Sequence, residues 1–239
     1  MGDLHGAQRA LAQCLERSAF DLQEDVLIQL GDVADGHDEV FECVETLLTI
    51  PKLIAIRGNH DEWFREFIGT GYHPDGWHCG GAATARSYLD RLGKRQFVYS
   101  KGIGYKTALN PSDVPKRHKD FFRRQKLFCL DEAGNCFVHG GFDCGSALEG
   151  QRPAVFYWDR DLWTAAMRFD GSRLPMKESF QSVFIGHTST TNWKTDQPMY
   201  AAGVWNLDTG AGNVGRLTIM DVETKKFWQS DPVRELYEN

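Results

Sequence analysis

Short apolar runs and amphipathic stretches alternate along the first quarter of the chain, and each run stops at a glycine-bearing turn. Val26-Leu27-Ile28-Gln29-Leu30 ends at Gly31-Asp32, and Leu53-Ile54-Ala55-Ile56 ends at Arg57-Gly58-Asn59-His60. Both read as buried strands. Ala7, Leu11, Cys14, Leu15 and Ser18 share one helical face, and Val40, Phe41, Val44, Leu47 and Leu48 share another. These have the spacing of amphipathic helices. Strand, loop and helix together repeat in roughly 30 residues, the size of a βαβ unit. Parallel strands connected in this way gather the loops at their carboxyl ends into one crevice.

The rhythm then changes. Leu127–Leu130 and Cys136–Val138 flank Asp131-Glu132-Ala133-Gly134-Asn135, which predicts a hairpin ending on His139. Ser182–Ile185 runs into Gly186-His187, and Trp205–Leu207 and Arg216–Val222 read as further strands, with a turn near Glu223-Thr224-Lys225. The expected fold class is α/β, with two mixed sheets face to face and helices outside. Residues 62–126 form a mainly helical segment carrying none of the candidate ligands below. Its aromatics Trp63 and Tyr88 read first as core packing, and Lys116-Arg117-His118-Lys119 with Arg123-Arg124 reads as a solvated helix face.

Composition narrows the class. A chain of 239 residues can bury a large core as one α/β domain. A formal charge of −6 argues against a general nucleic-acid or anionic-membrane surface. No run of 18 apolar residues appears. The six cysteines show no Cys-x-x-Cys pair, so reduced thiols in a soluble, cytoplasmic protein are expected.

Five blocks carry the chemistry: Gly2-Asp3-Leu4-His5-Gly6, Gly31-Asp32-Val33-Ala34-Asp35-Gly36, Gly58-Asn59-His60-Asp61, His139-Gly140-Gly141 and Gly186-His187-Thr188. Any one alone reads as an ordinary turn. Five in this order, at the ends of apolar segments, read as a metal centre. Carboxylate, amide oxygen and imidazole without thiolate favour Mn, Fe or Zn held for catalysis over a sulfur-bound structural zinc. Asp32 is the natural bridge between two ions, because one carboxylate can give an oxygen to each. Asp3 and His5 complete one site, and Asn59, His139 and His187 the other. Two such ions roughly 3.5–4 Å apart clamp the oxygens of an in-line phosphoryl displacement.

These blocks resemble the calcineurin-like metallophosphoesterases, in particular the phosphoprotein phosphatase branch with bacterial and phage members. That family reads Gly-Asp-x-His-Gly, Gly-Asp-x-x-Asp-Arg-Gly, Gly-Asn-His-Glu or Asp, His-Gly-Gly and Gly-His. The likeness runs from Gly2 to about Gly210 and includes Val155-Phe156-Tyr157-Trp158-Asp159-Arg160, similar to a segment carrying a phosphate-binding arginine. It implies an αββα sandwich with a substrate-side cap over residues 62–126, where Trp63, Trp77, Gly80-Gly81 and Tyr88 resemble bacterial members. It also implies two divalent ions, manganese foremost with Fe or Zn as alternatives. Asp35 then orients His60, His60 protonates the leaving oxygen, and hydroxide shared by the metals attacks phosphorus while Arg160 steadies its oxygens. Asp208 is expected to support a metal-binding histidine or simply to close the Asp208-Thr209-Gly210 turn.

Two departures stand out. Gly36 occupies the place of the family's second arginine, so Arg160, together with Arg57, is expected to hold the phosphate. Only Met1 precedes Gly2, where the family has an apolar strand; the expectation is that the first core strand lies upstream of the recorded start. The leading substrate expectation is phosphoserine or phosphothreonine in a protein, or a small phosphoester. The alternative is a dinucleoside polyphosphate such as diadenosine tetraphosphate, and the third reading is a non-catalytic scaffold of the same fold.

Overall fold

A computed structural model describes residues 1–94, 97–99 and 105–237. Helix α1 (Gln8–Arg17) is followed by β1 (Leu27–Gln29), α2 (Val40–Leu48), β2 (Leu53–Ala55) and α3 (Asn59–Thr70). Next come α4 (Gly81–Arg91), β3 (Phe97–Tyr99), β4 (Tyr105–Thr107) and α5 (Lys116–Arg124). The second half holds β5 (Phe128–Leu130), β6 (Cys136–Val138), α6 (Pro153–Trp158), α7 (Asp161–Arg168) and β7 (Val183–Ile185). It closes with β8 (Met199–Ala201), β9 (Val204–Asn206), β10 (Thr218–Met220), β11 (Phe227–Gln229) and α8 (Val233–Tyr237).

The expected mixed α/β architecture forms, with several sheets and helices packed on them. β1 and β2 pair in parallel, β10 and β11 pair antiparallel, and β5-β6-β7-β9-β8 make a five-stranded mixed sheet. Alternation along the strands sets the layers. Phe137 and Phe184 point inward to Ile28, Leu30 and Met220 of the facing strands, and their rings stack with centroids 5.0 Å apart. Their neighbours Cys136, Val138, Val183 and Ile185 face outward and are covered by Phe156, Leu162 and Trp163 of α6 and α7. On the other side, α1 to α5 bury Leu11, Val44, Leu47, Phe64 and Phe122. Phe184 is 1% exposed between the sheets, so Phe184→Ala is expected to cost about 3–5 kcal/mol, read by urea unfolding.

Two differences from the sequence expectations are local. β8 pairs with β9 as an extra strand. The segment 62–126 is helical in α3, α4 and α5, yet it also carries the β3–β4 hairpin, whose short runs leave no alternation to read. Residues 95–96 and 100–104 of that segment lie outside the described residues. Met1 and Gly2 lie between β1 and β10: the amino terminus donates to Ile28 O (2.8 Å), Leu30 N–H to Met1 O (3.0 Å) and Gly2 N–H to Thr218 O (3.0 Å). A cleft of about 230 Å³ opens beside them, lined by Ile28, Leu30, Phe137, Phe184 and Met220. Among the described residues no helix is long and apolar enough to cross a membrane.

Candidate metal centre

Each ligand block sits where a strand gives way to a turn. Asp32 follows β1, Asn59 follows β2 and opens α3, His139 follows β6 and His187 follows β7. Asp3 and His5 follow the short stretch held between β1 and β10. His5, Asp32, Asp35 and His187 adopt φ of 48°, 54°, 70° and 66°. This left-handed region is better tolerated by Asp and His than by branched residues, and it costs of order 1–3 kcal/mol per residue. Asp61, given no role from sequence, holds the turns together. Its carboxylate accepts from the N–H groups of Val33 (2.8 Å), Ala34 (2.9 Å) and Gly58 (3.2 Å), and from Gln125 (2.7 Å). A Cβ at Gly58 would stand 2.0 Å from Asp32 Oδ1, so only glycine lets this carboxylate approach the second turn.

Two ligand clusters share Asp32: His5, Asp32 and His60 in one, and Asp32, His139 and His187 in the other. Asp32 Oδ2 lies 3.6 Å from His5 Nε2 and 3.3 Å from His139 Nε2, and His139 Nε2 is 3.1 Å from Asn59 Oδ1. His139 Nδ1 donates to Leu30 O at 2.8 Å, and His5 Nδ1 to Ala34 O at 3.3 Å. A carbonyl only accepts, so Nδ1 carries the proton and Nε2 is left as the ligand atom. Asp3 Oδ2 accepts the His187 N–H at 2.9 Å, while Asp3 Oδ1 and His187 Nε2 are buried with no hydrogen-bond partner among the described residues. Such orphaned atoms call for a partner, and a divalent cation satisfies both kinds.

Electrostatics agrees with this fit. Burial, then Asp208, push the Asp3 carboxyl well above its usual range, and burial, with Asp32 adding to it, takes Asp208 to about 6. Burial also opposes charge on Asp32, but His139, His60 and His5 outweigh it and hold that carboxyl well below its usual range. Burial lowers His187 to about 2 and His5 to about 4, leaving both neutral and able to bind a metal. His139 is the exception: burial works against its charge, yet Asp32 and Asp3 raise it to about 10. Three buried carboxylates around two neutral imidazoles, with no thiolate, suit divalent ions such as Mn, Fe or Zn.

His60 is geometrically close to the first cluster, but its Nδ1 is engaged by Asp35 Oδ2 at 2.7 Å. Burial opposes the imidazolium, and Asp32 and Asp35 more than compensate, raising it to about 9. Asp35 is itself fixed from outside the ligand blocks. Its Oδ1 accepts from Trp77 Nε1 (2.9 Å) and Thr84 Oγ1 (2.5 Å), and its backbone N–H donates to Thr84 Oγ1 (2.8 Å). Asp35→Asn removes a charge that raises His60, so the alkaline limb of the pH–kcat profile is expected to move to lower pH. An unmoved limb in a pH series would show that another group sets it.

The phosphate-side residues divide. Arg160 is exposed at the start of α7. Among the described residues it forms no ion pair, and its charge lowers the pKa of both His187 and Asp208. Arg57 is half-buried, 3.4 Å from Glu62, with Nη2 donating to Gln125 O at 3.3 Å, so a carboxylate already shares its charge. Gly36 has φ +80°, and a Cβ there would stand 2.7 Å from His5 Cβ and O, which excludes an arginine in this backbone. Asp208 Oδ1 accepts the Gly210 N–H at 3.0 Å, closing the turn named from sequence.

Comparison with known proteins follows the same lines. A bis(5'-nucleosyl)-tetraphosphatase (symmetrical) from Pseudomonas fluorescens is 25% identical, covering 94% of this chain and 90% of its own length. Serine/threonine-protein phosphatase 1 of Salmonella typhimurium is 36% identical over 62 residues, 26% of this chain and 28% of its own. The crystal structure of a metallophosphoesterase from Sphaerobacter thermophilus superposes with a TM-score of 0.55 at 16% identity, covering 97% of this chain and 87% of the other. The family pattern of calcineurin-like phosphoesterases matches residues 1–188. With those residues holding all five ligand blocks, the chain belongs to the calcineurin-like phosphoesterase family.

Proposed function

We propose that this chain is a dinuclear metal-dependent phosphohydrolase whose substrate is a dinucleoside polyphosphate. The observation that carries the chemistry is Asp32 standing in both ligand clusters beside a histidine held by Asp35. Asp3, His5 and Asp32 would hold one ion, and Asp32, Asn59, His139 and His187 the other. When bound, such ions supply Lewis acidity, activating water and neutralising charge on a phosphoryl group. The chain's own residues do the rest. With Nδ1 bonded to Asp35, His60 presents its second proton on Nε2, ready for a leaving oxygen. Arg160, which forms no ion pair among the described residues, offers a charge-assisted fork to the phosphoryl oxygens. Asp61 and Gln125 keep the Asp32 and Asn59 turns in register.

The substrate order is the reverse of the one expected from the motifs alone. What supports the dinucleotide is that a relative of that activity aligns along nearly the whole chain, whereas the serine/threonine phosphatase similarity covers about a quarter of it. The phosphoserine reading stands second, supported by that stronger local match. Manganese-dependent product release from diadenosine tetraphosphate and from a phosphoserine peptide, on one preparation, separates the two. Preference for the dinucleotide is the expected result; preference for the peptide would restore the protein phosphatase reading.

A further inference from the structure

Six aromatic rings form an arc around Asp32. Successive centroid distances are 4.9 Å from His5 to His60, 4.8 Å from His60 to Trp63 and 5.3 Å from Trp63 to Trp158. The arc continues 5.8 Å from Trp158 to His187 and 5.0 Å from His187 to His139. The imidazoles belong to the site already described. The two indoles have no part in it, yet they close the arc between the proton donor and the second ligand cluster.

Their settings differ from those of the core tryptophans. Trp77 and Trp163 are fully buried, whereas Trp158 is 42% exposed and Trp63 is half-buried. Gly76 backs Trp63: a Cβ there would lie 2.3 Å from the indole Cζ2, so the cap backbone rests on that ring. Trp63 is therefore braced, and it supports Trp158 edge-to-face. Isolated surface aromatics need no explanation; a pair held beside the candidate centre, Trp63 against His60 and Trp158 against His187, does.

A proton from His60 reaches only an oxygen within hydrogen-bond distance, so the group attached to the leaving oxygen lies close to His60, and Trp63 is the neighbouring ring on the side away from His5 and the ligands. Arg57 and Arg65 flank the carboxylate of Glu62, at 3.4 and 2.5 Å, and Tyr157, the residue before Trp158, feels Glu62 and Glu66 as well as both arginines, so the charges balance there. A planar face at this point fits the base of a nucleotide. It does not favour the aliphatic side chain of phosphoserine.

We propose that Trp158, braced by Trp63, is a stacking platform for the base of a nucleotide leaving group, and so sets substrate preference. The inference rests on the phosphohydrolase reading above. The test uses the full chain loaded with manganese and compares wild type, Trp158→Ala and Trp158→Phe. Adenosine diphosphate binding is followed by quenching of tryptophan fluorescence, or by calorimetry in the variants. In parallel, kcat/KM is measured for diadenosine tetraphosphate, a phosphoserine peptide and 4-nitrophenyl phosphate. Trp158→Ala is expected to weaken adenosine diphosphate binding about tenfold and to lower the dinucleotide-to-peptide ratio by a similar factor, with Trp158→Phe recovering most of both. Equal losses on dinucleotide and peptide, or unchanged binding, would overturn the platform. A loss confined to 4-nitrophenyl phosphate would overturn the nucleobase assignment. If wild type hydrolyses no phosphoester, the phosphohydrolase reading fails, while the binding comparison still decides the role of Trp158.

Discussion

A His60→Ala chain is expected to hydrolyse an alkyl phosphomonoester about 100- to 10,000-fold more slowly than wild type, with its metal content unchanged. The magnitude follows from the work the imidazole is placed to do. Asp35 occupies Nδ1, both aspartates favour the charged ring at about 9, and the proton on Nε2 is therefore present at neutral pH. An alkoxide leaves poorly without that proton. A nucleoside phosphate leaves as a stabilised anion and needs it less, so the same variant should lose much less on diadenosine tetraphosphate. Comparing the two substrates thus tests the role as well as the residue. Because His60 also lies within ligand distance of His5 and Asp32, metal analysis of the variant is decisive: loss of an ion with the side chain would make His60 a ligand.

Asp32→Asn is expected to be more severe, removing both ions and with them turnover on every phosphoester. Asp32 is the one carboxylate common to the two clusters. An amide in its place brings no charge and turns a donor toward His5 or His139. The metal-free protein should register the change too. In wild type, Asp32 and Asp3 raise His139 to about 10, so the protonated ring stabilises the metal-free fold. That contribution is complete below the ordinary histidine value near 6.5 and is lost as pH rises through about 10. In Asp32→Asn this alkaline loss should shrink, which thermal unfolding in chelator across a pH series would show. The same proton competes with metal for Nε2, so manganese affinity of wild type should increase with pH and binding should release protons.

The candidate metal centre was legible in the sequence because its residues stand beside strand ends. Periodicity located β1, β2, β6 and β7, and a glycine or turn residue after each marked where a side chain could reach a shared crevice. The face-to-face sheets were legible too, since Phe137 and Phe184 alternate with residues of the opposite face. What could not be read was contact between distant segments. Thr84 lies 49 residues from the Asp35 it holds and Trp77 lies 42 residues away, and both look like ordinary positions in a helical stretch. Asp61 stood within a recognised block and its bond to the Gly58 N–H is a local cap, yet the other three reach Val33, Ala34 and Gln125, which no local pattern ties to it. Gly36 was seen as a departure; only the backbone shows why, since φ +80° against His5 leaves no room for a longer side chain.

The hold that Trp77 and Thr84 keep on Asp35 separates two inheritances within one enzyme. The candidate ligands stand on loops at strand ends. The carboxylate that holds His60 is itself held by a segment that, among the described residues, carries none of those ligands and packs through helices and a hairpin. Substitutions in that segment can tilt Asp35, and with it the preference between poor and good leaving groups, while every ligand stays in place. Changes confined to residues 71–126 are therefore expected to shift what the chain hydrolyses while its five ligand blocks stay intact.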